Sequence, residues 1–517
     1  MRSGLRRRLR PLKALLGAAL AAAACSLLAG CGGNAVQAPN STAQNAPSIS
    51  STATPRPHPT WSAEQRAGVA RSLSSILNDD ILVNGAGIAV VAEDGTTLFA
   101  RHATKPYVPA STLKLVVGAT ALDELGPAYR FPTSFVALAP PDADGLLHGP
   151  LWLVGSGDPL LSSDDLRAGV GALHRAGVRA IEGPLYVDAS AFAGPERNPH
   201  WDPDDADYDY APPTSAISLD QDDAEFDVTP GAPGEAAKVA VEPANESVTF
   251  TGTIATVDAY DSDVSIERST DPPAHSSAAK RNAYVVGGYI VPGEKQKFWK
   301  PIVGVPEYVG GAAASMLAER GIALGEGYRA GSAPLAAVPL WVHRSQPLAE
   351  IVRDMLVNSN NHTAEQLLRV LGERSGRAGS DAAGIAEELR ELDRLGVPRD
   401  NLRVYDGSGL APDDHVAPLT LAKLIAAEQS GPAGGVFVRT LARVGLEGTA
   451  KHHDLTSAAG RVRAKTGHID GVNGLAGTAQ SRHHGRIAFD FIVNDPRADA
   501  DVVTEEEDSA LDRLSEL

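Results

Sequence analysis

Apolar positions first take up a helical period at Val69, Leu73, Ile76 and Leu77, behind Ser62 and Gln65 in a capping-box pattern. The ordered body is therefore expected to begin at Ser62 with a helix. The runs Gly87–Val91 and Thr96–Phe99 flank the turn residues Glu93-Asp94-Gly95 and predict an antiparallel hairpin. Pro109-Ala110-Ser111 then precede the apolar run Thr112–Leu122, long enough to be a buried helix with Ser111 in its first turn. Leu348, Ile351, Val352, Met355 and Leu356 return to helical spacing, as do Ala364, Leu367, Leu368 and Leu371, with an Asn-rich break at 358–361 between them. Near the end, Val462 and Ala464 alternate with Arg461 and Arg463, Asp470-Gly471 turns the chain, and Ile487, Phe489 and Phe491 alternate in a further strand.

Between about 140 and 335 the texture changes to short apolar runs with many Gly and Pro, which predicts inserted, mostly β material. Residues 202–227 hold ten acidic and no basic residues. Asp202–Ala206 has a passing likeness to a calcium loop, but position six is Asp207 rather than Gly and position twelve is Pro213. The pairs His452-His453 and His483-His484 lack ligand spacing and have no cysteine partners, so neither a metal nor a cofactor is expected.

Length and composition narrow the classes. The 517 residues suggest about three domains, and 43 % hydrophobic with 21 % charged residues is the balance of a globular protein. The net charge is −18, and six cations crowd the first thirteen residues, leaving −24 on the remainder. Such a body repels phosphate backbones, which argues against nucleic acid as a partner. Both cysteines, Cys25 and Cys31, precede residue 32, so no disulfide crosses the folded body.

The basic residues 1–13 and the uncharged run Ala14–Gly30 have the order of a secretory signal. Leu28-Ala29-Gly30-Cys31 resembles the lipobox of bacterial lipoproteins, which implies cleavage before Cys31, lipidation of its thiol and anchoring at a membrane. The alternative is an uncleaved anchor, and either version places the body outside the cytoplasm. Residues 32–60 hold no acidic residue and little that can bury a core, so they read as a linker spanning roughly 30 Å r.m.s. as a flexible coil.

Ser111-x-x-Lys114 places an alcohol and an amine one helical turn apart, where the lysine can take the hydroxyl proton. Ser277-Ala278-Ala279-Lys280 matches the same pattern but sits in a Pro- and Ser-rich stretch with no helix to build on. A helix N-terminus also points backbone N–H groups to where an oxyanion would form, which favours Ser111. Ser359-Asn360-Asn361 follows after 248 residues and Lys465-Thr466-Gly467 after another 106. This three-part set is the one known from penicillin-binding proteins and class A β-lactamases. Ser359 can relay a proton to the leaving nitrogen, Asn361 can hold the substrate amide and orient Lys114, and Lys465 can add positive charge beside nucleophile and carboxylate. Thr466 offers a hydroxyl to that carboxylate, and Gly467 lets a peptide lie against the strand.

With Leu153–Pro159, Tyr210–Ala216, Asp406-Gly407-Ser408-Gly409-Leu410 and Gly471–Gly477, these motifs make the chain from about 62 to its end resemble the class C low-molecular-mass penicillin-binding proteins, the D-alanyl-D-alanine carboxypeptidase and endopeptidase family. The resemblance implies an α/β (α+β) fold. A transpeptidase/β-lactamase-like domain with a central antiparallel sheet flanked by helices would occupy 61–140 and 335–517, interrupted at 141–334 by two smaller, mostly β domains. It also implies an exported hydrolase, a serine-type carboxypeptidase acting on the D-Ala-D-Ala end of peptidoglycan stem peptides through an acyl-enzyme on Ser111, with β-lactams as covalent inhibitors. Carboxypeptidase and endopeptidase action both remain open. A β-lactamase is the runner-up, disfavoured by the long insertion, and a catalytically silent cell-wall scaffold is the non-enzymatic alternative.

Two residues depart from the family pattern. His468 stands where a second hydroxyl usually follows Lys-Thr-Gly, although its backbone N–H can still serve an oxyanion, and Ala411-Pro412 replace a usual Ser-Arg. The segment Trp201–Asp205 resembles one near the cleft mouth that meets the amine of a diaminopimelate-type stem peptide, and Asp204 is the expected contact.

Overall fold

The computed structural model describes residues 61–269, 282–374, 376–431 and 434–517. The N-terminal signal with Cys31, the linker 32–60 and the second Ser-x-x-Lys at Ser277 lie outside these residues. No helix among them is long and apolar enough to cross a membrane.

A six-stranded antiparallel sheet forms the larger layer, in the order 442–443, 462–469, 472–480, 486–494, 86–92, 97–101. The N-terminal hairpin thus joins the C-terminal one, with Ile88 opposite Phe491 and Val90 opposite Phe489. The alternation of Ile487, Phe489 and Phe491 divides two cores rather than a core from solvent, because the interior of strand Arg486–Asn494 is buried on both sides. Ala488 and Ile492 face a core shared with the helices Lys114–Leu125 and Pro418–Ser430. Ile487, Phe489 and Phe491 face a core shared with Leu73 of helix Ala63–Ile76 and Leu511 of helix Ala500–Glu516. The capping box at Ser62 forms: its Oγ accepts from Gln65 N, and Gln65 Oε1 accepts from Ser62 N.

Ser111 lies one step before the expected α-helix. Ala110–Leu113 form a 3₁₀ turn that runs into helix Lys114–Leu125, whose residues from Lys114 to Leu122 are all buried. Gly118 lets this helix press against its neighbour: a Cβ there would lie 3.2 Å from Val352 and Met355 of helix Leu348–Asn358. The Asn-rich break is shorter than expected. Ser359 takes a left-handed conformation (φ 62°), and Asn360 caps the next helix, Asn361–Glu373, accepting from Thr363 N.

A second core fills the region between. Its largest sheet has the order 328–330, 185–188, 151–154, 132–137, 338–344. Strands Pro132–Ala137 and Val338–Arg344, where the chain enters and leaves this region, pair antiparallel with Phe135 opposite Trp341. Strands are numerous here, but helices Ser163–Arg175 and Val305–Glu319 also line the core through Leu166, Val170, Tyr308 and Val309.

Leu73 is fully buried where helix Ala63–Ile76 meets the sheet. Leu73→Ala is expected to lower the unfolding free energy by ~2–5 kcal/mol in a denaturant titration. A loss below 1 kcal/mol would show that this helix is not part of the cooperative core.

Candidate active site

The site is built around an amine with no access to water. Lys114 is 0 % exposed, and its Nζ lies 2.8 Å from Ser111 Oγ, 2.6 Å from Asn361 Oδ1 and 2.7 Å from the carbonyl oxygen of Ser408. Three acceptors match the three N–H bonds of an ammonium. Of the three, only the hydroxyl can also donate, so once the amine loses a proton its lone pair can accept from Ser111 and from neither of the others. Burial lowers the amine to about 8, and the nearby Asp406 and Glu365 oppose that shift.

The structure brings together residues that are far apart in the chain, Lys114 and Asn361 by 247 positions. Asn361, in the first turn of its helix, aims Oδ1 at Lys114 and donates through Nδ2 to the carbonyl of Tyr210 at 2.7 Å. Ser359 shares with Ser111 and Asn361 a cleft of about 590 Å³. Strand Val462–Ile469 closes the other side. Lys465 is fully buried, donates to the carbonyl of Thr466 at 2.5 Å, and is pushed well below the ordinary lysine range by burial and by Lys114. The expected standing positive charge on Lys465 is therefore not favoured by its surroundings. Thr466 Oγ1 meets Thr449 Oγ1 at 2.6 Å, and His468 Nδ1 meets Asn473 Oδ1 across the hairpin at 3.0 Å. Gly467 is required by close approach, since a Cβ would come within 2.7 Å of the Pro109 carbonyl, just ahead of Ser111.

Behind Lys114 lies a device whose task the sequence motifs do not reveal. The Asp406 carboxylate, fully buried, accepts from the backbone N–H of Gly409, Leu410 and Ala411 at 2.6, 3.0 and 2.8 Å, from Ser408 Oγ at 3.2 Å and from the Trp201 indole at 2.8 Å. These bonds curl residues 406–411 so that the Ser408 carbonyl points at Lys114. Glu365 Oε1 accepts from Gly407 N and Ser408 N, fixing the same loop from the other side. Burial raises Glu365 well above the carboxylate range, and burial with Asp406 raises Asp414 to about 11. Gly409 has φ +76°, and a Cβ there would fall 1.9 Å from the Ala110 carbonyl. The Asp-Gly-Ser-Gly-Leu run was visible in sequence; its contact with Lys114 was not, because that contact is made by a carbonyl.

The acidic mouth also differs from expectation. Pro203–Asp207 is a 3₁₀ turn, whose period of three puts Asp202 and Asp205 on one side. These two, rather than Asp204, line the cleft with Ser111, and Asp205 accepts from Tyr210 OH at 2.7 Å. Elsewhere Asp123, Glu391 and Glu428 place carboxylate oxygens within 4.8 Å of one another, but Arg394 already bridges Asp123 and Glu391 as the local cation.

Residues 69–516 match the model of the D-Ala-D-Ala carboxypeptidase 3 (S13) family. The chain is 30 % identical over 468 residues to a D-alanyl-D-alanine carboxypeptidase of an Actinomadura strain, covering 82 % of this chain and 80 % of that one. It is 27 % identical over 448 residues to Carboxypeptidase DacB of Mycolicibacterium smegmatis, covering 83 % and 80 %. In fold it is similar to the crystal structure of penicillin binding protein 4 (dacB) from Haemophilus influenzae, with a TM-score of 0.71, 22 % identity, and coverage of 87 % of this chain and 99 % of that one.

Asp406→Ala would leave three backbone N–H groups and an indole N–H without their acceptor in a dry site. Denaturant unfolding is expected to show a loss of about 3–5 kcal/mol. A loss under 1 kcal/mol would mean that something other than this carboxylate holds the loop.

Proposed function

The chain belongs to the D-Ala-D-Ala carboxypeptidase 3 (S13) family of serine peptidases, and on that premise we propose that it is an exported hydrolase of peptidoglycan stem peptides, working through an acyl-enzyme on Ser111 and acylated in the same way by penicillins. The observation that carries the reading is the contact of Lys114 Nζ with Ser111 Oγ, the only one of its three partners able to give it a proton.

In this reading Ser111 Oγ attacks the carbonyl carbon of the penultimate D-alanine while its proton passes to Lys114. The oxyanion is held by backbone N–H groups of Ser111 and His468. The C–N bond then breaks, and the leaving nitrogen takes a proton relayed through Ser359. Water hydrolyses the ester by the same path in reverse, so the net change is one peptide bond and one water converted to an acid and an amine. Asn361 orients both the amine and the substrate amide. Thr466 and His468 receive the terminal carboxylate, and that carboxylate is the group that holds the buried Lys465 as a cation. Asp202 and Asp205 are placed to meet a cationic stem-peptide side chain at the mouth. The lipobox supports a lipid anchor at Cys31, with residues 32–60 as the tether.

The test is incubation with a labelled penicillin followed by intact mass measurement. A stable adduct that disappears in Ser111→Ala and persists in Ser277→Ala supports the peptidase. Rapid turnover would make it a β-lactamase, no adduct a scaffold, and labelling that survives Ser111→Ala would move the nucleophile elsewhere.

The buried amine also sets a pH dependence. Below about pH 8 Lys114 keeps its proton and cannot accept another. The value of kcat/KM for acylation is therefore expected to rise about tenfold per pH unit and to level off near pH 8. A profile flat from pH 6 to 9 would exclude Lys114 as the base.

A further inference from the structure

The cleft at Ser111 does not stop at the mouth formed by Asp202 and Asp205. Tyr210, Ser359 and Asn361, which line it, also line a recess of about 180 Å³ together with Asp209 and Gln221. Asp209 and Gln221 in turn border a cavity of about 650 Å³ in the inserted region, so three spaces share their walls in series from Ser111 outward. Their junction is fixed. Gln221 Oε1 accepts from Asn360 Nδ2, and the next residue, Asp222, meets His362 Nε2 at 3.2 Å in a buried contact.

The floor of the outer cavity is one face of a three-stranded sheet built from Asp223–Thr229, Lys238–Glu242 and Gln296–Pro301. Ala224, Phe226 and Val228 turn into the core, which leaves Asp223, Glu225, Asp227, Lys297 and Trp299 on the cavity side. An indole gains no burial on such a wet face, yet Trp299 stands there 49 % exposed. Its Nε1 donates to Glu225 Oε2 at 3.1 Å, so what it offers a ligand is the face of the ring. The charges around it are largely spent on one another. Lys297 pairs with Glu225 and, at 3.1 Å, with Asp227, and Arg167 reaches Asp164 at 3.1 Å and Glu242 at 3.7 Å. Burial, with Asp209 and Asp222 nearby, raises Asp223 to about 8, which keeps it uncharged at neutral pH. Paired charges and a neutral carboxyl present many hydrogen-bonding atoms but little net field for a bare ion.

A neutral ring with an apolar face and hydroxyl or acetamide groups around its rim matches that combination: its C–H face lies on the indole and its rim donates to the carboxylates. We propose that the cavity at Trp299 is a saccharide subsite, which takes the N-acetylated sugar that carries the stem peptide while the peptide lies along Gln221 and Asn361 to Ser111. The inference rests on the peptidase reading above and deepens it, making the substrate a glycan-borne peptide rather than a D-alanine terminus alone. Thr466 and His468, assigned there to the terminal carboxylate, do not line the recess at Gln221, so the two ends of the substrate go to different walls.

The full-length protein is assayed on one stem peptide ending in D-Ala-D-Ala in three forms: N-acetylated, carrying the N-acetylglucosaminyl-N-acetylmuramoyl disaccharide, and extended at its N-terminus by lysines. The glycan-borne form should exceed the N-acetylated one by about tenfold in kcat/KM, and the lysines should change it by less than about twofold. Trp299→Ala should bring the glycan advantage to within about twofold of unity while cleavage of the N-acetylated peptide and labelling by penicillin stay at wild-type rates. Trp299→Tyr, which keeps a ring face, should retain most of the advantage. The inference is overturned by a wild-type ratio near one with penicillin labelling intact, by an advantage that survives Trp299→Ala, by a larger gain from lysines than from the glycan, or by a Trp299→Ala variant that slows every substrate alike. Absence of a penicillin adduct on the wild type would overturn the peptidase reading instead. The saccharide subsite is then read by itself, as a fluorescence change on adding the free disaccharide to the wild type that Trp299→Ala lacks, and no such change overturns it.

Discussion

Keeping one amine dry is the constraint around which the catalytic half is arranged. Transferring an isolated ammonium from water into a protein interior costs several kcal/mol even after relaxation. Lys114 is nonetheless fully buried, and its three hydrogen-bond acceptors come from three separate parts of the chain. Those acceptors keep the cation tolerable, and burial keeps the neutral form within reach. The compromise requires water to stay out, which explains why the first turns of helix Lys114–Leu125 are buried on all sides rather than along one stripe.

The same constraint accounts for the loop at 406–411. A backbone carbonyl is a good ligand for an ammonium only if it cannot turn away, and Asp406 removes that freedom by holding three consecutive N–H groups beyond it. The indole of Trp201, from the acidic segment at the mouth, donates to the same carboxylate. The cleft-lining side chains at 202 and 205 are therefore mechanically joined to the hydrogen-bond acceptors of Lys114. The Tyr210 carbonyl performs a similar service for Asn361. The long insertion thus supplies parts of the site wall as well as bulk.

The sequence was most legible where chemistry is carried by side chains at short spacing. Ser111 and Lys114, Ser359 and Asn361, and Lys465 through Gly467 announce themselves as triplets, and all of them converge. Periodicity located the hairpin 86–101 and the helices around 348–373, because both have enough apolar positions to show a period. It found the strand of Ile487, Phe489 and Phe491 but not what its two faces meet, since alternation alone does not distinguish a sheet with one wet face from a sheet between two cores. Contacts made by backbone carbonyls, such as those of Ser408 and Tyr210, leave no trace in residue identity. The shift from Asp204 to Asp202 and Asp205 has a similar origin, because the turn adopts a period of three that an acidic run cannot encode.

The separation of the pieces along the chain has a consequence for the making of the protein. Ser111 and Lys114 meet Asn361, Ser408 and Lys465 only in the finished fold, and the last of these comes 354 positions after Ser111. At ~5–20 residues per second, a ribosome needs about 20–70 s to cover that distance. Throughout that interval the hydroxyl and amine, three residues apart, lack the walls that in the finished fold exclude water and lower the amine. A chain interrupted anywhere before residue 465 therefore carries Ser111 and Lys114 without the full set of groups that surrounds them in the finished fold.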